Sequence, residues 1–206
     1  SLWTMNLAGG NPRELISGQE LRQWLNPDER ESSNFFQQSW IPQSHQLIFS
    51  GTTYIAQAEG LSHALPEGVY LVDTDNGSST VLAEATENLH FLSSPDGKQI
   101  ALMSPTHLDF INADGSNRRQ DVLTYTEVGL GYPLFPVGVW TQDSRAFVMT
   151  GSFESDPSLN INFTIWRIPT DGSSSEALAA VSKSTPNSVN FSPDGKSVSF
   201  LQTTDE

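Results

Sequence analysis

The first residues that could carry chemistry are the acidic side chains near position 75. The segment Asp73–Gly77 begins like a calcium-binding loop, and Glu84 takes the twelfth position, where such a loop places its last carboxylate. The loop also needs glycine at position six and an oxygen ligand at position five, but these positions are Ser78 and Gly77. We therefore expect an ordinary turn here, without a metal ion.

The other candidate metal ligands are the four histidines, His45, His63, His90 and His107. None has the His-x-x-x-His spacing that places two imidazoles on one face of a helix. His63 and His107 could share a metal only if their loops met across neighbouring structural repeats. We expect no metal site and no bound cofactor.

The parts of a nucleophilic catalytic site are missing from the sequence. It has no cysteine and no Gly-x-Ser-x-Gly motif, in which a sharp turn exposes a serine nucleophile. A pair of carboxylates for glycosidic cleavage stays an open alternative, because such a pair is made by the fold rather than by spacing. However, the chain has 24 Asp and Glu residues against 10 Lys and Arg residues, so most carboxylates serve as solvating charge. We expect no catalytic activity from these residues.

The charge of the chain excludes one class of partner. A formal net charge of −14 and a pI near 4.4 argue against nucleic-acid binding, which needs clustered Lys and Arg. Arg118–Arg119 is the one basic doublet in the chain. Apolar residues nowhere form a run of about 18, so no membrane-spanning helix is expected.

A short motif recurs about every 50 residues. The segment Phe191–Phe200 reads Phe-Ser-Pro-Asp-Gly-Lys-Ser-Val-Ser-Phe, and both Trp40–Phe49 and Trp140–Met149 align with it without a gap. The fourth copy is Ser93–Leu102, with its aromatic residue two places earlier at Phe91. A shift of two keeps a side chain on the same face of a strand. The Pro-Asp-Gly core predicts a tight hairpin turn between two strands. Trp40 and Trp140, at the start of their copies, are expected to be buried between neighbouring sheets.

A second motif alternates with the first. It is a short apolar run that ends in an Asp, Asn or Gly turn, and its copies are Leu2–Gly10, Val69–Gly77, Leu108–Gly115 and Ile165–Gly172. Two hairpins in every 50 residues or so make four antiparallel strands, the unit of a β-propeller blade. The prediction is therefore an all-β fold of four-stranded blades. The one plausible helix is short and lies within Gly18–Arg30.

These two motifs together resemble the TolB-type, WD-repeat-like β-propellers, over nearly the whole chain. The third copy of the first motif departs from that pattern, because Gln142–Arg145 replaces Pro-Asp-Gly-Lys. The resemblance implies a scaffold, a binding platform or the gating domain of a peptidase. It also implies a location outside the cytoplasm: periplasmic, secreted or surface-anchored.

Counting strands a to d of a blade from the propeller axis outward gives an uneven division of the chain. Residues 1–17 supply strands c and d alone, and residues 187–206 supply strands a and b alone. Three whole blades are predicted between them, at about 34–83, 88–124 and 137–179. The ends could pair and close a small ring, or the chain could be an arc that self-associates into a larger ring. We favour the second alternative, because six to eight blades is the commoner number in the family it resembles.

The long connections all fall on one face of the predicted propeller. They are Gly51–Gly68 and Gly151–Asn162 between strands b and c, and Ser17–Asn34 and Gln120–Val137 between blades. Long loops on a rigid scaffold are where binding groups concentrate. The predicted binding residues are aromatic, acidic or imidazole side chains of these loops: Trp24, Tyr54, His63, Tyr125, Tyr132, Phe135, Phe153, Glu154 and Asp156.

This composition predicts a non-catalytic module that presents its loops to a protein or carbohydrate partner. A second reading is that the loop aromatics only anchor their loops to the blades. The functional alternative is the propeller domain of a larger hydrolase, either the gating domain of a serine peptidase or a glycosidase-like domain.

Overall fold

The fold of the chain is seen in a computed structural model. The structure describes residues 1–25, 31–56, 62–64, 68–84, 89–126, 136–155, 161–184 and 189–202. Residue contacts divide the chain into two compact units, Ser1–Leu89 and His90–Glu206. Within the described residues there are seventeen strands and one helix of eight residues, which is too short to cross a bilayer.

The first unit contains one two-stranded sheet, one helix and one larger sheet. Its elements are β1 (Leu2–Thr4), β2 (Arg13–Ile16), α1 (Gly18–Leu25), β3 (Glu31–Trp40), β4 (Gln46–Ala56), β5 (Ser62–Ala64), β6 (Gly68–Asp73) and β7 (Ser79–Ala83). Strands β1 and β2 pair with each other, and the larger sheet has the order β3-β4-β6-β7, with β5 added to the far end of β4. All pairings are antiparallel.

The second unit contains two four-stranded sheets and a short terminal hairpin. Its strands are β8 (His90–Ser93), β9 (Gln99–Met103), β10 (His107–Asn112), β11 (Arg119–Thr124), β12 (Gly138–Trp140), β13 (Ala146–Ser155), β14 (Ile161–Pro169), β15 (Glu176–Ser184), β16 (Asn190–Phe191) and β17 (Val198–Ser199). The sheet orders are β8-β9-β10-β11, β12-β13-β14-β15 and β16-β17. The prediction of an all-β fold built from four-stranded antiparallel propeller blades is confirmed.

Burial within a blade follows the position of each strand. The middle strands β9 and β10 are buried along nearly their whole length, as expected for strands covered on both faces. The outer strand β15 is exposed at most positions. This gradient agrees with the sequence, in which Ile100–Met103 is a continuous apolar run and Leu108–Ile111 is apolar except for Asp109, whereas β15 is mixed.

The helix begins where the sequence predicts it. Ser17 and Glu20 form a reciprocal cap, in which the Glu20 carboxylate accepts from the Ser17 backbone N–H at 2.7 Å and the Ser17 hydroxyl accepts from the Glu20 N–H at 3.1 Å. These two bonds satisfy backbone donors that a helix start leaves unpaired. Leu21 on this helix is completely buried among the core residues of the first unit. Residues 26–30 of the predicted helix lie outside the described part of the chain.

The hairpin turns are held by their own polar side chains. In the copy at Phe191–Phe200, the Asp194 carboxylate accepts from the Ser192 hydroxyl at 2.6 Å and from the Lys196 N–H at 3.1 Å. Gly195 has a φ of +67°, and the equivalent Ser144 has a φ of +58° although it carries a side chain. In the copy at Trp40–Phe49, the residue with a left-handed backbone conformation is Gln43, whose φ is +60°. Since Gln43 lies one place earlier in the motif, that turn departs from the aligned pattern.

We expect Gly195→Ala to lower the free energy of unfolding of the terminal hairpin by about 1–2 kcal/mol. A Cβ at Gly195 would meet nothing closer than Val139 Cγ1 at 3.6 Å, so the cost comes from the left-handed backbone. Hydrogen exchange of the β16 and β17 amides measures the change. The matched control is Gly18→Ala, since Gly18 opens α1 with free space around its Cα. Equal protection in both variants would contradict the assigned turn.

The second unit has a core between its two blades. Phe110, Trp140 and Phe147 form an aromatic cluster, with the Trp140 ring centroid 5.3 Å from that of Phe110 and 5.2 Å from that of Phe147. The Trp140 indole N–H donates to the Leu92 carbonyl oxygen at 2.9 Å, which ties β12 to β8 of the neighbouring blade. The tryptophan of this copy therefore packs between sheets, as the repeat predicts.

Trp40, in the equivalent position of the first unit, does not pack in this way. Its side chain is 52% exposed, whereas that of Trp140 is 4% exposed. In the aligned second motif, Thr4 takes the place of Phe110, and Trp40 borders an open cleft of about 200 Å³ together with Thr4 and Trp3. The prediction that Trp40 is buried is wrong, because the neighbouring strand offers a threonine where the second unit offers an aromatic ring.

Candidate functional site

Strands β3 and β4 extend well beyond the four-stranded part of their sheet. Residues 31–34 of β3 pair with residues 52–55 of β4, and β5 pairs with Tyr54–Ala56. The predicted loop Gly51–Gly68 is therefore strand at its start, through Ala56, and again at β5. The sequence prediction of an irregular loop is wrong at these positions, because cross-strand pairing with β3 and β5 extends the sheet. We call this three-stranded extension the first ribbon.

The second unit has a similar extension on β13 and β14. Strand β13 continues past Gly151 to Ser155, and Glu154 and Ser155 pair with Asn162 and Ile161. The register shifts between Gly151 and Glu154, so the extended part is bent relative to the sheet below it. The predicted loop Gly151–Asn162 is thus strand at both ends. We call this extension the second ribbon.

The blade of β8–β11, which comes between these two blades in the sequence, has no such ribbon. Strands β9 and β10 are joined by a tight turn, in which the Ser104 N–H donates to the His107 carbonyl at 2.9 Å. The Ser104 hydroxyl bonds to Nδ1 of His107 at 2.8 Å and accepts from two backbone N–H groups. His107 is therefore hydrogen-bonded and partly buried, not solvent-exposed and unpaired as its sequence position suggests.

The ribbons carry several of the predicted binding residues, although the structure does not test their role. Tyr54 lies on β4 opposite Ala64, and His63 lies on β5 opposite Ile55. Phe153 and Glu154 lie on β13 in the second ribbon. Trp24 lies on α1. The remaining predicted residues Tyr132, Phe135 and Asp156 lie outside the described residues.

Tyr125 is the exception among the predicted binding residues. Its side chain is 8% exposed, and its hydroxyl is 2.7 Å from the Ser104 carbonyl oxygen and 2.8 Å from the His107 carbonyl oxygen. The ring belongs to the core cluster of the second unit. Tyr125 therefore anchors the end of its blade, which is the role that the second reading of the sequence gave to loop aromatics.

The acidic segment around Asp75 forms a capped turn. One carboxylate oxygen of Asp73 accepts from the N–H groups of Asp75 and Asn76, at 2.8 and 3.3 Å. The Arg13 guanidinium donates to the carbonyl oxygens of Thr74 and Asp75 at 2.8 and 2.9 Å. These bonds use the segment's oxygens to hold the turn and to join it to β2.

A buried ion pair escaped the sequence analysis. The Asp109 side chain on β10 is 1% exposed, and one of its oxygens accepts from Arg118 at 2.7 Å and 2.8 Å. Its other oxygen accepts from the Asp121 backbone N–H at 2.8 Å. The basic doublet Arg118–Arg119 was the one signal for this pair in the sequence, but its partner lies nine residues away on another strand.

Oxygen and nitrogen atoms of His107, Asp109 and Asp121 lie within 4.8 Å of one another, a spacing that could hold a metal ion. However, the Arg118 guanidinium already supplies the positive charge beside Asp109. A metal cation bound at this point would be repelled by that guanidinium. We therefore interpret the cluster as an internal ion pair that fixes β10 to β11.

His45 and His90 are two histidines whose protonation the fold shifts in opposite directions. Nδ1 of His45 is 2.7 Å from the Asp75 carboxylate, and this hydrogen bond raises the pKa of His45 above its ordinary value of 6.5. Burial lowers the pKa of His90 below the same value, because the interior disfavours the charged imidazole. The His45 pair therefore stabilises the fold at low pH and loses this effect as pH rises through the raised pKa.

We expect an NMR titration of the imidazole C2 protons to show these two shifts. His45 should titrate above pH 6.5 and His90 below it. In Asp75→Asn, the pKa of His45 should return toward 6.5, while that of His90 serves as the internal control and stays unchanged. An unaltered His45 midpoint in this variant would contradict the ion pair.

Neither a protein-family model nor a curated protein sequence matches this chain. Solved structures do match. An oligogalacturonate lyase in complex with manganese superposes with a TM-score of 0.61 and 15% identity, over 98% of this chain and 53% of the lyase chain. The acylaminoacyl peptidase of Pyrococcus horikoshii gives a TM-score of 0.56 and 15% identity, over 84% of this chain and 28% of the peptidase chain.

A TolB candidate from Agrobacterium tumefaciens also aligns, with a TM-score of 0.48 and 17% identity, over 98% of this chain and 66% of its own. At these identities the first two likenesses show the fold alone, and the third carries no argument. The chain spans about half of the lyase chain and just over a quarter of the peptidase chain. Solved structures of a lyase and a peptidase thus share the fold of this chain.

Proposed function

We propose that this chain is a propeller module without a catalytic centre, in which each of the two ribbons, taken by itself, is a binding surface for a polypeptide or carbohydrate partner. The observation that carries the proposal is that β3–β5 and β13–β14 extend beyond their blades, whereas β9 and β10 end in a tight turn. A blade needs no such extension for its own stability. Extended strands present backbone groups and alternate side chains to a partner in a fixed geometry.

The chemistry of the ribbon residues supports a partner with both apolar and polar groups. Tyr54 and Phe153 offer aromatic rings, which bind peptide side chains and sugar faces at low conformational cost. His63 and Glu154 add an imidazole and a carboxylate to the composition of the two ribbons. This combination is typical of recognition surfaces.

The test uses two probes, a mixture of short peptides from a casein digest and trigalacturonate. Hydrogen exchange measured with each probe should show protection at β4, β5 and β13, and neither probe should be cleaved. Tyr54→Ala and Phe153→Ala should each weaken binding about tenfold, the factor that corresponds to about 1.4 kcal/mol. Trp40→Ala is the matched control, because Trp40 is an exposed aromatic residue outside the ribbons. Cleavage of a probe, or the absence of protection at both ribbons, would refute the proposal.

A second candidate is that the chain serves as the propeller domain of a larger hydrolase. The likeness to the acylaminoacyl peptidase, which covers 28% of that chain, favours it. In that case the ribbons would guide substrate toward a catalytic domain encoded in the same reading frame. Extending the reading frame on both sides distinguishes the two, since a downstream Gly-x-Ser-x-Gly motif would support the hydrolase. The extracytoplasmic location implied by the TolB resemblance stays a prediction that a preceding secretion signal would support.

Self-association is a further part of this proposal. Sheets β1–β2 and β16–β17 have two strands each among the described residues, half of a blade. Each also exposes large apolar side chains, Trp3 and Met5 in the first case and Leu201 in the second. Pairing between copies would cover such surfaces. Light scattering should therefore give a mass above the 22.6 kDa of one chain, and a strictly monomeric particle would contradict the pairing.

A further inference from the structure

A cleft of about 500 Å³ lies in the second unit, lined by residues of both four-stranded blades. One wall comes from β9, β10 and β11, and the other is the turn after β14, at Thr170 and Asp171. This turn follows Pro169, whereas the second ribbon contains Ile161 at the other end of β14. Nine residues of strand separate the two by about 30 Å, so the cleft is a different site from the ribbons.

Arg119 lines this cleft and carries one donor atom without a hydrogen-bond partner among the described residues. Its guanidinium carbon lies 5.3 Å from the centre of the Phe110 ring, so the planar group is held by a cation–π contact. Its Nη2 atom is buried, yet within the described residues it has no hydrogen-bond partner. A buried donor left unpaired costs free energy, which a suitable acceptor would recover.

Gln99 lines the same cleft and carries one acceptor atom without a hydrogen-bond partner among the described residues. Its Oε1 atom is buried, and no donor among the described residues reaches it. A cleft that holds one unpaired donor and one unpaired acceptor differs from an ordinary gap between blades, whose polar atoms are satisfied by the protein. A ligand that fills it must offer an acceptor to Arg119 and a donor to Gln99.

The charges around the cleft further limit the kinds of ligand that could bind there. Arg118 is neutralised by Asp109, so its charge is not available. Asp171 faces Arg119, whose positive charge contributes to lowering the pKa of Asp171, after the larger effect of the Ser173 hydroxyl and backbone N–H. The cationic Arg119 beside the anionic Asp171 suits a ligand with a single carboxylate. Inorganic phosphate carries more negative charge, and its second charge would stand close to Asp171.

We propose that this cleft binds the carboxylate end of a short peptide. The Arg119 guanidinium donates to the terminal carboxylate, an arrangement that gives short and strong charge-assisted hydrogen bonds. The amide N–H of the terminal residue donates to Oε1 of Gln99. The Phe110 ring fixes the guanidinium in place before the ligand arrives, which reduces the entropy lost on binding.

The test compares acetyl-Gly-Gly with acetyl-Gly-Gly amide on the full chain, by NMR titration of ¹⁵N-labelled protein. The free acid should shift the side-chain amide of Gln99 and the Nε–H of Arg119 in a saturable way. The neutral amide should bind at least tenfold more weakly. Equal binding of acid and amide, or no saturable shift, would overturn the proposal, as would tighter binding of phosphate or galacturonate.

Two variants then assign the binding to the residues named. Arg119→Gln should weaken acetyl-Gly-Gly binding at least tenfold, while Lys196→Gln, which removes the same charge from an exposed turn of the same unit, should not. Gln99→Glu should weaken it as well, because a second carboxylate repels the ligand. Unchanged affinity in Arg119→Gln would refute the assignment. If that variant does not fold, the comparison of acid and amide on the wild-type chain still tests whether the cleft binds a carboxylate.

Discussion

Trp140→Ala should lower the free energy of unfolding by about 3–5 kcal/mol. The indole is 4% exposed and packs against Phe110 and Phe147. Its N–H also donates to the Leu92 carbonyl oxygen, a hydrogen bond between blades that the truncation would remove. The loss therefore combines a cavity with a broken contact between blades. Urea denaturation monitored by circular dichroism measures it.

The chain supplies its own control for this prediction. Trp40→Ala removes the same side chain from the same position of the repeat, but Trp40 is 52% exposed. We expect it to cost less than about 1 kcal/mol, as substitutions at exposed positions usually do. Trp140→Phe should fall between the two, since it keeps the ring contacts and loses the hydrogen bond. A similar loss for Trp40→Ala and Trp140→Ala would contradict the packing described for the two units.

Arg118→Ala is expected to lower the free energy of unfolding by about 3 kcal/mol at neutral pH. The reason is the carboxylate left behind: Asp109 is buried and would keep only the bond from the Asp121 N–H and a distant imidazole, His107 Nε2 at 3.8 Å. We place the loss at the lower end of the range for buried pairs, because Arg118 itself is 28% exposed and water can enter when it is removed.

Two further variants separate the buried charge from other effects of losing Arg118. The double variant Asp109→Ala and Arg118→Ala should be less destabilised than Arg118→Ala alone, because no unpaired charge remains. Arg145→Ala, at an exposed position of the β12–β13 turn, should change stability by less than about 0.5 kcal/mol. Additive losses in the double variant would show that the pair has no energetic coupling.

The first of these two predictions concerns a contact between neighbouring blades, and the second concerns a contact within one of them. Trp140 joins β12 to the carbonyl of Leu92 on β8, while Asp109 and Arg118 fix β10 to the start of β11. The proposed peptide cleft is lined by residues of both blades, among them Arg119. Its walls are thus held by an aromatic cluster and a buried ion pair. Such support keeps a binding site in one geometry before its ligand arrives.

Local patterns in the sequence predicted much of the fold. The Pro-Asp-Gly turns and the alternating apolar runs predicted hairpins, because turn chemistry and side-chain alternation act over a few residues. The short helix was predicted to begin at Gly18, and the Ser17–Glu20 bonds that cap it span only three residues. Regular spacing then indicated four strands per blade.

The candidate binding surface was predicted only in part. Tyr54, His63, Phe153 and Glu154 were expected in loops, yet they lie on strands that continue past the blades. Pairing beyond a blade depends on which strand runs alongside, and no local pattern reports that. Tyr125 was expected among the exposed aromatics, but the carbonyl groups of Ser104 and His107 hold its hydroxyl in the core.

By itself the sequence determined the strands, their turns and the blade as the repeating unit, since each depends on contacts between near neighbours in the chain. The tertiary structure alone decided which equivalent residues differ in role. Trp40 and Trp140 occupy one position of the repeat, but only Trp140 has Phe110 beside it, so only Trp140 is buried. The same holds for the basic doublet, where Asp109 neutralises Arg118 and leaves Arg119 free to bind. In both cases the partner that decides the role belongs to another strand. A sequence pattern does not show which residues of different strands come into contact.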